Sequence, residues 1–416
     1  MNTLGKFVGF SALTLTIFAA LNLPVQAVTP TAKRIALRHR PNPQAVLKTF
    51  PVSGFGAPLE GLSAEQISAF ATGLDEFTNV ENPQGGLGPI FNRASCVACH
   101  AAPAIGGGSA INVTRFGRTT DGHFDALTAA GGSLLQVNAI NPGAVELVPA
   151  AANTVARRQS TPLFGLGLIE AIPDDVILAN AARQNALGLN GLPAMVDDVV
   201  SGKPRVGRFG WKAQQATLLA FSGDAYLNEM GITNRFFPLE NAPNGDTGKL
   251  ARFDRVSDPE DSVDPVTGKG DIDVVADFMR LLAPPPSLPL STSARSGASL
   301  FKQAGCSGCH QPQMQTGPSQ TPALNNVLVY LYSDLLLHDM GQLGDGIEQG
   351  MAHGNEMKTA PLWGLRASAP YMHDGRAPGI DEAIQAHDGE AAKARAAYLK
   401  FSNSQRKQLL EFLASI

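Results

Sequence analysis

The chain of 416 residues has only four cysteines, and all four fall in two close pairs. None is left over, which argues against a mechanism that uses a reactive thiol of the protein's own. Positive charge is not in excess either. Lys and Arg number 32 against 36 Asp and Glu, a formal net charge of −4, and no basic run occurs, so nucleic acid is not an expected partner. After the first 27 residues no apolar run approaches the roughly 20 residues needed to cross a bilayer. The acidic, Gly- and Pro-bearing stretch 241–271 lacks the EF-hand loop pattern and reads as a solvated loop rather than a calcium site.

What the chain does have is 43 glycines and 29 prolines. Such counts suit a loop-rich fold in which prosthetic groups supply part of the core. The first 27 residues have the layout of a secretory signal: Lys6, an apolar stretch from Phe7 to Leu23, a break at Pro24, and the small-residue site Val25-Gln26-Ala27. The expectation is export to the periplasm, with no stable membrane span once residues 1–27 are removed; a retained anchor is the alternative. The remainder is long enough for two or three domains.

The cysteines occupy Cys96-Val97-Ala98-Cys99-His100 and Cys306-Ser307-Gly308-Cys309-His310. Cys-x-x-Cys-His is the signature of covalent c-type haem attachment. Two thiols three residues apart can each add to one vinyl group of a porphyrin, and the adjoining histidine is then held under the iron as an axial ligand. A zinc ribbon also uses paired Cys-x-x-Cys, but its pairs lie about 15–20 residues apart. Here they are far apart in the chain and each carries the same histidine. Two covalently bound haems c are expected, haem 1 on Cys96, Cys99 and His100, and haem 2 on Cys306, Cys309 and His310.

Ser63 and Gln66 form a capping-box pattern, and Ile67, Phe70, Leu74 and Phe77 follow at helical spacing, predicting a helix over about 64–78. Residues 111–114 and 134–137 have short-strand character and fit a ribbon beside haem 1. Residues 157–173 read as an apolar loop, with helices at about 174–182 and 212–222. Val274, Val275, Phe278, Leu281 and Leu282 make a helical face that ends at Pro284-Pro285-Pro286, a linker between halves. The second half restates the first: Gly297 and Phe301 precede Cys306 as Gly73 and Phe77 precede Cys96. A terminal helix is expected at about 403–415. The predicted class is mainly α, with two cytochrome c-like domains in tandem. Residues 28–286 carry haem 1 and are enlarged by loops and a short β-ribbon; residues 287–416 carry haem 2.

Tyr371-Met372-His373-Asp374-Gly375, followed by a Glu382-Ala383-Ile384 helix, resembles the C-terminal region of bacterial di-haem cytochrome c peroxidases. The maturase that oxidises tryptophans in methylamine dehydrogenase belongs to the same superfamily. A narrower similarity is to the di-haem oxidoreductases labelled thiol oxidoreductases. It is carried by Thr161 to Gly167, Gly207 to Gln214, Asp334 to Gly341 and Pro361 to Leu365, and spans roughly residues 55–415.

This resemblance implies roles for particular residues. In the peroxidases the residue fourteen beyond the His of His-Asp-Gly is the distal ligand of the C-terminal haem. His387 stands there, so haem 2 would be held by His310 and His387, with His338 as rival ligand. The peroxidases carry a histidine ligand for haem 1 about sixteen residues past the first motif. Here Thr114-Arg115-Phe116-Gly117 occupies that neighbourhood; either His123 closes the site or haem 1 is open. Asn228-Glu229-Met230-Gly231 resembles the stretch bearing the peroxidases' distal acid-base glutamate, implying that role for Glu229, with Glu170 as runner-up. Trp211 stands at the spacing of their inter-haem tryptophan, with Trp363 as alternative. The peroxidases also bind calcium between domains. Their asparagine ligand is missing near Gly165, although carbonyls around Pro370 remain, and calcium is not supported.

The implied activity is reduction of hydrogen peroxide at haem 1, with electrons relayed from haem 2 by way of Trp211. The donor would be a small redox protein, or a residue of a partner protein as substrate. A non-catalytic electron-transfer cytochrome and a redox subunit of a metal-uptake system are the alternatives.

Overall fold

The computed structural model of the chain describes residues 54–416. The expected signal, 1–27, and most of the basic arm that follows it lie outside the described residues. Among the described residues run ten α-helices: α1 (Ala64–Thr78), α2 (Leu166–Glu170), α3 (Asp174–Ala186), α4 (Leu218–Ala225), α5 (Thr247–Phe253), α6 (Asp271–Leu281), α7 (Thr292–Gln303), α8 (Ile380–Ala386), α9 (Ala392–Leu399) and α10 (Asn403–Ser415). The class is mainly α, with small antiparallel sheets between the helices.

α1 begins at the expected capping box. The Ser63 hydroxyl accepts the Gln66 amide, and the Gln66 side chain accepts the Ser63 amide at 2.9 Å. Its buried Phe70 and Phe77 pack against α6. Gly73 makes the crossing possible, since a Cβ at this position would lie 2.1 Å from the carbonyl oxygen of Val274. The arrangement is repeated in the second half. α7 crosses α10, and a Cβ on Gly297 would lie 2.0 Å from the Gln408 oxygen. Four residues on, each helix places a phenylalanine in the seam. The Phe77 ring stands 4.8 Å from that of Phe278, and the Phe301 ring 5.5 Å from that of Phe412. Phe70, Phe77 and Phe278 are essentially buried, and each such side chain contributes about 1.5–3 kcal/mol by leaving water.

The core has two main parts. One gathers α1, α2, α4 and α6 and takes in Leu331, Leu335 and Leu336 from beyond the Pro284–Pro286 stretch; the other is built from α7, α9 and α10.

The segment between the first Cys-x-x-Cys-His and α2 holds β1 (Ile90–Phe91, just before the motif), β2 (Asn112–Thr120), β3 (His123–Asp125), β4 (Leu134–Leu135), β5 (Asn138–Ala139) and β6 (Thr154–Gln159). β2 is the centre of a four-stranded antiparallel sheet, pairing with β3, β4 and β6. The expected pairing of 111–114 with 134–137 is present as β2 on β4, but β6 and α2 stand where an apolar loop was predicted. The buried positions of β6 are Ala156 and Arg158. Arg158 is inside because Asp345 and Gln349 take its guanidinium at 2.6 Å each. A charge on the inward face hides the strand period from a hydropathy reading.

Three further boundaries differ. α3 runs on to Ala186. The helix expected at 212–222 starts at Leu218, where the Thr217 hydroxyl accepts the Ala220 amide; before it the chain turns through Ala213 at φ 51°. The acidic stretch 241–271 contains α5, capped by Asp246.

Candidate di-haem site

The second Cys-x-x-Cys-His opens onto a cavity of ≈820 Å³ whose wall includes Cys306, Cys309, His310, His387, Trp211 and Tyr371. This is within the range for sites that enclose a large organic ligand, roughly 300–1,000 Å³. α8 delivers His387. Gly379 starts the helix, and His387 is its C-terminal cap, with Nδ1 2.8 Å from the Ala383 oxygen. His310 Nδ1 lies 3.1 Å from the Tyr332 oxygen. A carbonyl can only accept, so each Nδ1 carries the proton and each Nε2 keeps its lone pair. The two rings face one another at 6.3 Å between centroids. That is about the span of two imidazoles with a metal between their nitrogens, at roughly 2.0–2.1 Å per metal–nitrogen bond. Burial lowers the pKa of both, with His310 falling to about 4 under the added influence of His387. Neutral imidazole is the ligating form. The donor set therefore fits a haem iron held by two histidines.

His338 cannot compete for that iron. Its Nε2 is 3.0 Å from Asp334 and its Nδ1 3.0 Å from Glu390. Both nitrogens donate to carboxylates, so no lone pair remains. Burial opposes charge on this ring, which is 2% exposed, but the hydrogen bonds to Asp334, Cys309 and Glu390 outweigh it and push its pKa up to about 12.

His100 has the same anchoring as the other two ligands, its Nδ1 3.0 Å from the Gly107 oxygen. Burial keeps it neutral, and the Phe77 ring stands 6.2 Å away. Among the described residues no second histidine ring stands against it as His387 stands against His310. His123 lies exposed on β3, beside the turn that joins it to β2. Burial pushes the Cys96 thiol up to about 12 and the Cys306 thiol up to about 11, the opposite of an activated thiolate.

Glu229 belongs to the haem 1 side, close enough for its charge to act on Cys99. It lies in a π-helical segment, Tyr226–Met230, that prolongs α4; such segments are frequent at functional sites. Asn92, four residues before Cys96, donates to its Oε2 at 2.8 Å. Burial raises the Glu229 pKa, against the pull of Asn92, Arg115 and Arg93. One turn earlier, buried Asp224 is pushed up to about 6. Glu170 is committed elsewhere: one oxygen accepts the Leu218 amide at the start of α4 and the other pairs with Arg280 at 2.7 Å.

Trp211 lies on the wall of the large cavity. Its Nε1 donates to the Gln159 oxygen at 2.9 Å, and its ring meets His373 edge-on at 6.3 Å. Trp363 also lines the cavity, packed beside Gly165. Gln159 in turn donates from Nε2 to the Pro370 oxygen at 2.7 Å. One lone pair of that carbonyl is taken by an amide, and calcium remains unsupported here.

A family model described as "Di-haem oxidoreductase, putative peroxidase" matches residues 149–416. The chain belongs to the di-haem oxidoreductase family. The match contains Trp211, Glu229, the second Cys-x-x-Cys-His and His387; the first motif lies ahead of it. No curated protein matches the chain. Among solved structures it is similar to hydrazine synthase from Kuenenia stuttgartiensis, with 14% identity over 98% of this chain and 100% of that one and a TM-score of 0.42. A MauG-like protein associated with microbial copper homeostasis has 14% identity, coverage of 88% and 94%, and a TM-score of 0.37. A variant of the diheme peroxidase BthA from Burkholderia thailandensis has 12% identity, coverage of 91% and 88%, and a TM-score of 0.36. As a member of this family the chain is a di-haem redox protein.

Sequence reasoning missed Asn92, Asp224 and the Asp334–His338–Glu390 cluster. Asn92 had a findable signal in its closeness to the first motif. The other partners meet only in three dimensions.

Proposed function

We propose that the chain is an exported di-haem c-type oxidoreductase that reduces hydrogen peroxide at haem 1 and stores electrons at haem 2. Two tandem cytochrome c-like domains would divide near Pro284–Pro286, with haem 1 in 28–286 and haem 2 in 287–416. The signal at 1–27 would direct the protein to the periplasm. In support, no helix among the described residues is long and apolar enough to cross a membrane. The covalent links would be made by Cys96 and Cys99, and by Cys306 and Cys309.

The observation that carries the reading is an inequality of ligands. His310 faces His387 at 6.3 Å. Among the described residues His100 has no facing histidine, and a half-buried carboxyl, Glu229, stands on the haem 1 side instead. Bound haem supplies a redox-active iron at each site. The protein supplies the rest. His310 and His387, oriented and neutral, would hold one iron. Glu229, held by Asn92 and shifted toward its protonated form by burial, takes a proton from one peroxide oxygen and returns it to the other so that water leaves. Trp211, its indole nitrogen fixed by Gln159 on the wall of the haem 2 cavity, mediates electron passage. The electron donor is a small redox protein.

Electron paramagnetic resonance of the ferric protein tests this reading, with one high-spin and one low-spin haem expected. Two low-spin signals that persist on partial reduction would reduce it to an electron-transfer cytochrome. Steady-state turnover with peroxide and a reduced cytochrome then tests the reaction itself.

A further inference from the structure

We propose that Arg115 makes the haem 1 site a receptor for small anions of weak acids, hydroperoxide and fluoride among them, by holding a positive charge there that no hydrogen bond or ion pair among the described residues takes up. The inference rests on haem 1 being the open haem.

Arg115 lies on β2, opposite Leu134 of β4 and Ala156 of β6. The side chain is half-buried. Nε is shut off from solvent and has no hydrogen-bond partner, and none of the hydrogen bonds or ion pairs among the described residues uses this side chain. An ion taken out of water without a partner costs several kcal/mol, so a guanidinium in this position is suited to a counter-charge that arrives with a ligand.

Its charged surroundings say where that ligand sits. Glu229, Asp224 and Asp345 attract the guanidinium and Arg158 repels it. Asp345 is already taken by Arg158 at 2.6 Å and approached by Lys212 at 3.4 Å. Asp224 accepts from Asn228 at 3.0 Å and Glu229 from Asn92 at 2.8 Å. Burial works against charge on both of these carboxyls, which weakens their hold on the guanidinium. Glu229 also acts on Cys99, one of the two haem 1 cysteines. Arg115, Glu229 and Cys99 therefore border one region on the haem 1 side. A carboxyl that can take up a proton and a guanidinium without a hydrogen-bonded counter-charge together match a weak acid, its proton going to the one and its anion to the other. The guanidinium has no lone pair with which to ligate iron itself.

The test is fluoride titration of the haem-loaded ferric protein, followed in the visible spectrum, with carbon monoxide binding to the ferrous protein as the neutral-ligand control. Arg115→Leu is expected to weaken fluoride about tenfold or more, the order expected for a charged hydrogen bond, and to leave carbon monoxide affinity unchanged. Arg115→Lys should retain most of the fluoride affinity. Arg115→Gln, neutral and closer in length, should behave as Leu does and serves if the Leu variant fails to fold. Wild-type fluoride affinity in the Leu or Gln variant overturns the proposal, as does an equal loss of fluoride and carbon monoxide. If the wild-type protein binds neither ligand and shows two low-spin haems, the open-site reading fails and this inference fails with it; that outcome is visible before any variant is made.

Discussion

Replacing Glu229 with Gln separates a catalytic carboxyl from a structural one, because the two roles predict opposite changes. Gln has nearly the same shape, and its amide oxygen can still accept from Asn92 Nδ2, now 2.8 Å from Glu229 Oε2. The packing and one hydrogen bond, worth about 1 kcal/mol net, are therefore kept. What is lost is the proton. General acid-base groups contribute about 10²–10⁴-fold, so peroxide turnover is expected to fall by that factor with haem content unchanged. Stability should move the other way. Burial raises the folded-state pKa of Glu229 above its ordinary value. A carboxyl so shifted contributes its full stability below the unfolded pKa and loses it as pH rises through the folded value. Glu229→Gln removes that loss, and thermal denaturation above the folded pKa should find the variant at least as stable as the wild type. Turnover within threefold of wild type, or a marked drop in melting temperature at neutral pH, would refute the assignment.

Other changes test other parts of the structure. His387→Ala should convert haem 2 to high spin while Cys306 and Cys309 retain it, as read by electron paramagnetic resonance; a low-spin haem 2 would show another ligand. Gly297→Ala should destabilise the protein by about 1–3 kcal/mol, the usual cost of overpacking, measurable by denaturant unfolding, because the new Cβ would meet the Gln408 oxygen at 2.0 Å. Asp334→Asn should cost about 3–5 kcal/mol by breaking a buried ion pair. His338, held up to about 12, contributes full stability below about 6.5 and loses it as pH rises toward the folded value, and the variant should flatten that dependence. Trp211→Phe should leave both haem spectra intact and slow electron transfer between them, as followed by stopped-flow reduction.

Where a residue's role is local, the sequence displays it. The capping box at Ser63, the Gly73 and Gly297 crossings and the terminal helix at 403–415 each follow from residues a few positions apart. His387 came from the resemblance, as the residue fourteen beyond the His of His-Asp-Gly, and the short α8, whose C-terminus it caps, sets its ring 6.3 Å from that of His310. Other features depend on partners far along the chain. β6 does not look like a strand, because the charge of Arg158 is tolerated inside only by Asp345, nearly two hundred residues on. His338 resembles an iron ligand until Asp334 and Glu390 are seen to occupy both of its nitrogens. Glu170 was a candidate acid until Arg280 and the start of α4 were found to hold its two oxygens.

The two halves share a scaffold, a glycine-permitted helix crossing with a phenylalanine in the seam just ahead of each Cys-x-x-Cys-His. They differ in what approaches the histidine from the other side. In the second half a short helix, α8, brings a neutral imidazole whose other nitrogen is fixed by Ala383. In the first half the β2 sheet and the π-helical end of α4 gather Arg115, Asp224 and Glu229, with Glu229 near enough for its charge to act on Cys99. An imidazole closes an iron, whereas a carboxyl of raised pKa and a guanidinium without a partner do not. They create a polar, proton-bearing environment that is costly to maintain in a protein interior. Such an expense is understandable at a site that handles a small polar reactant. A pure electron relay has no need of it, since two oriented histidines, as in the second half, would serve.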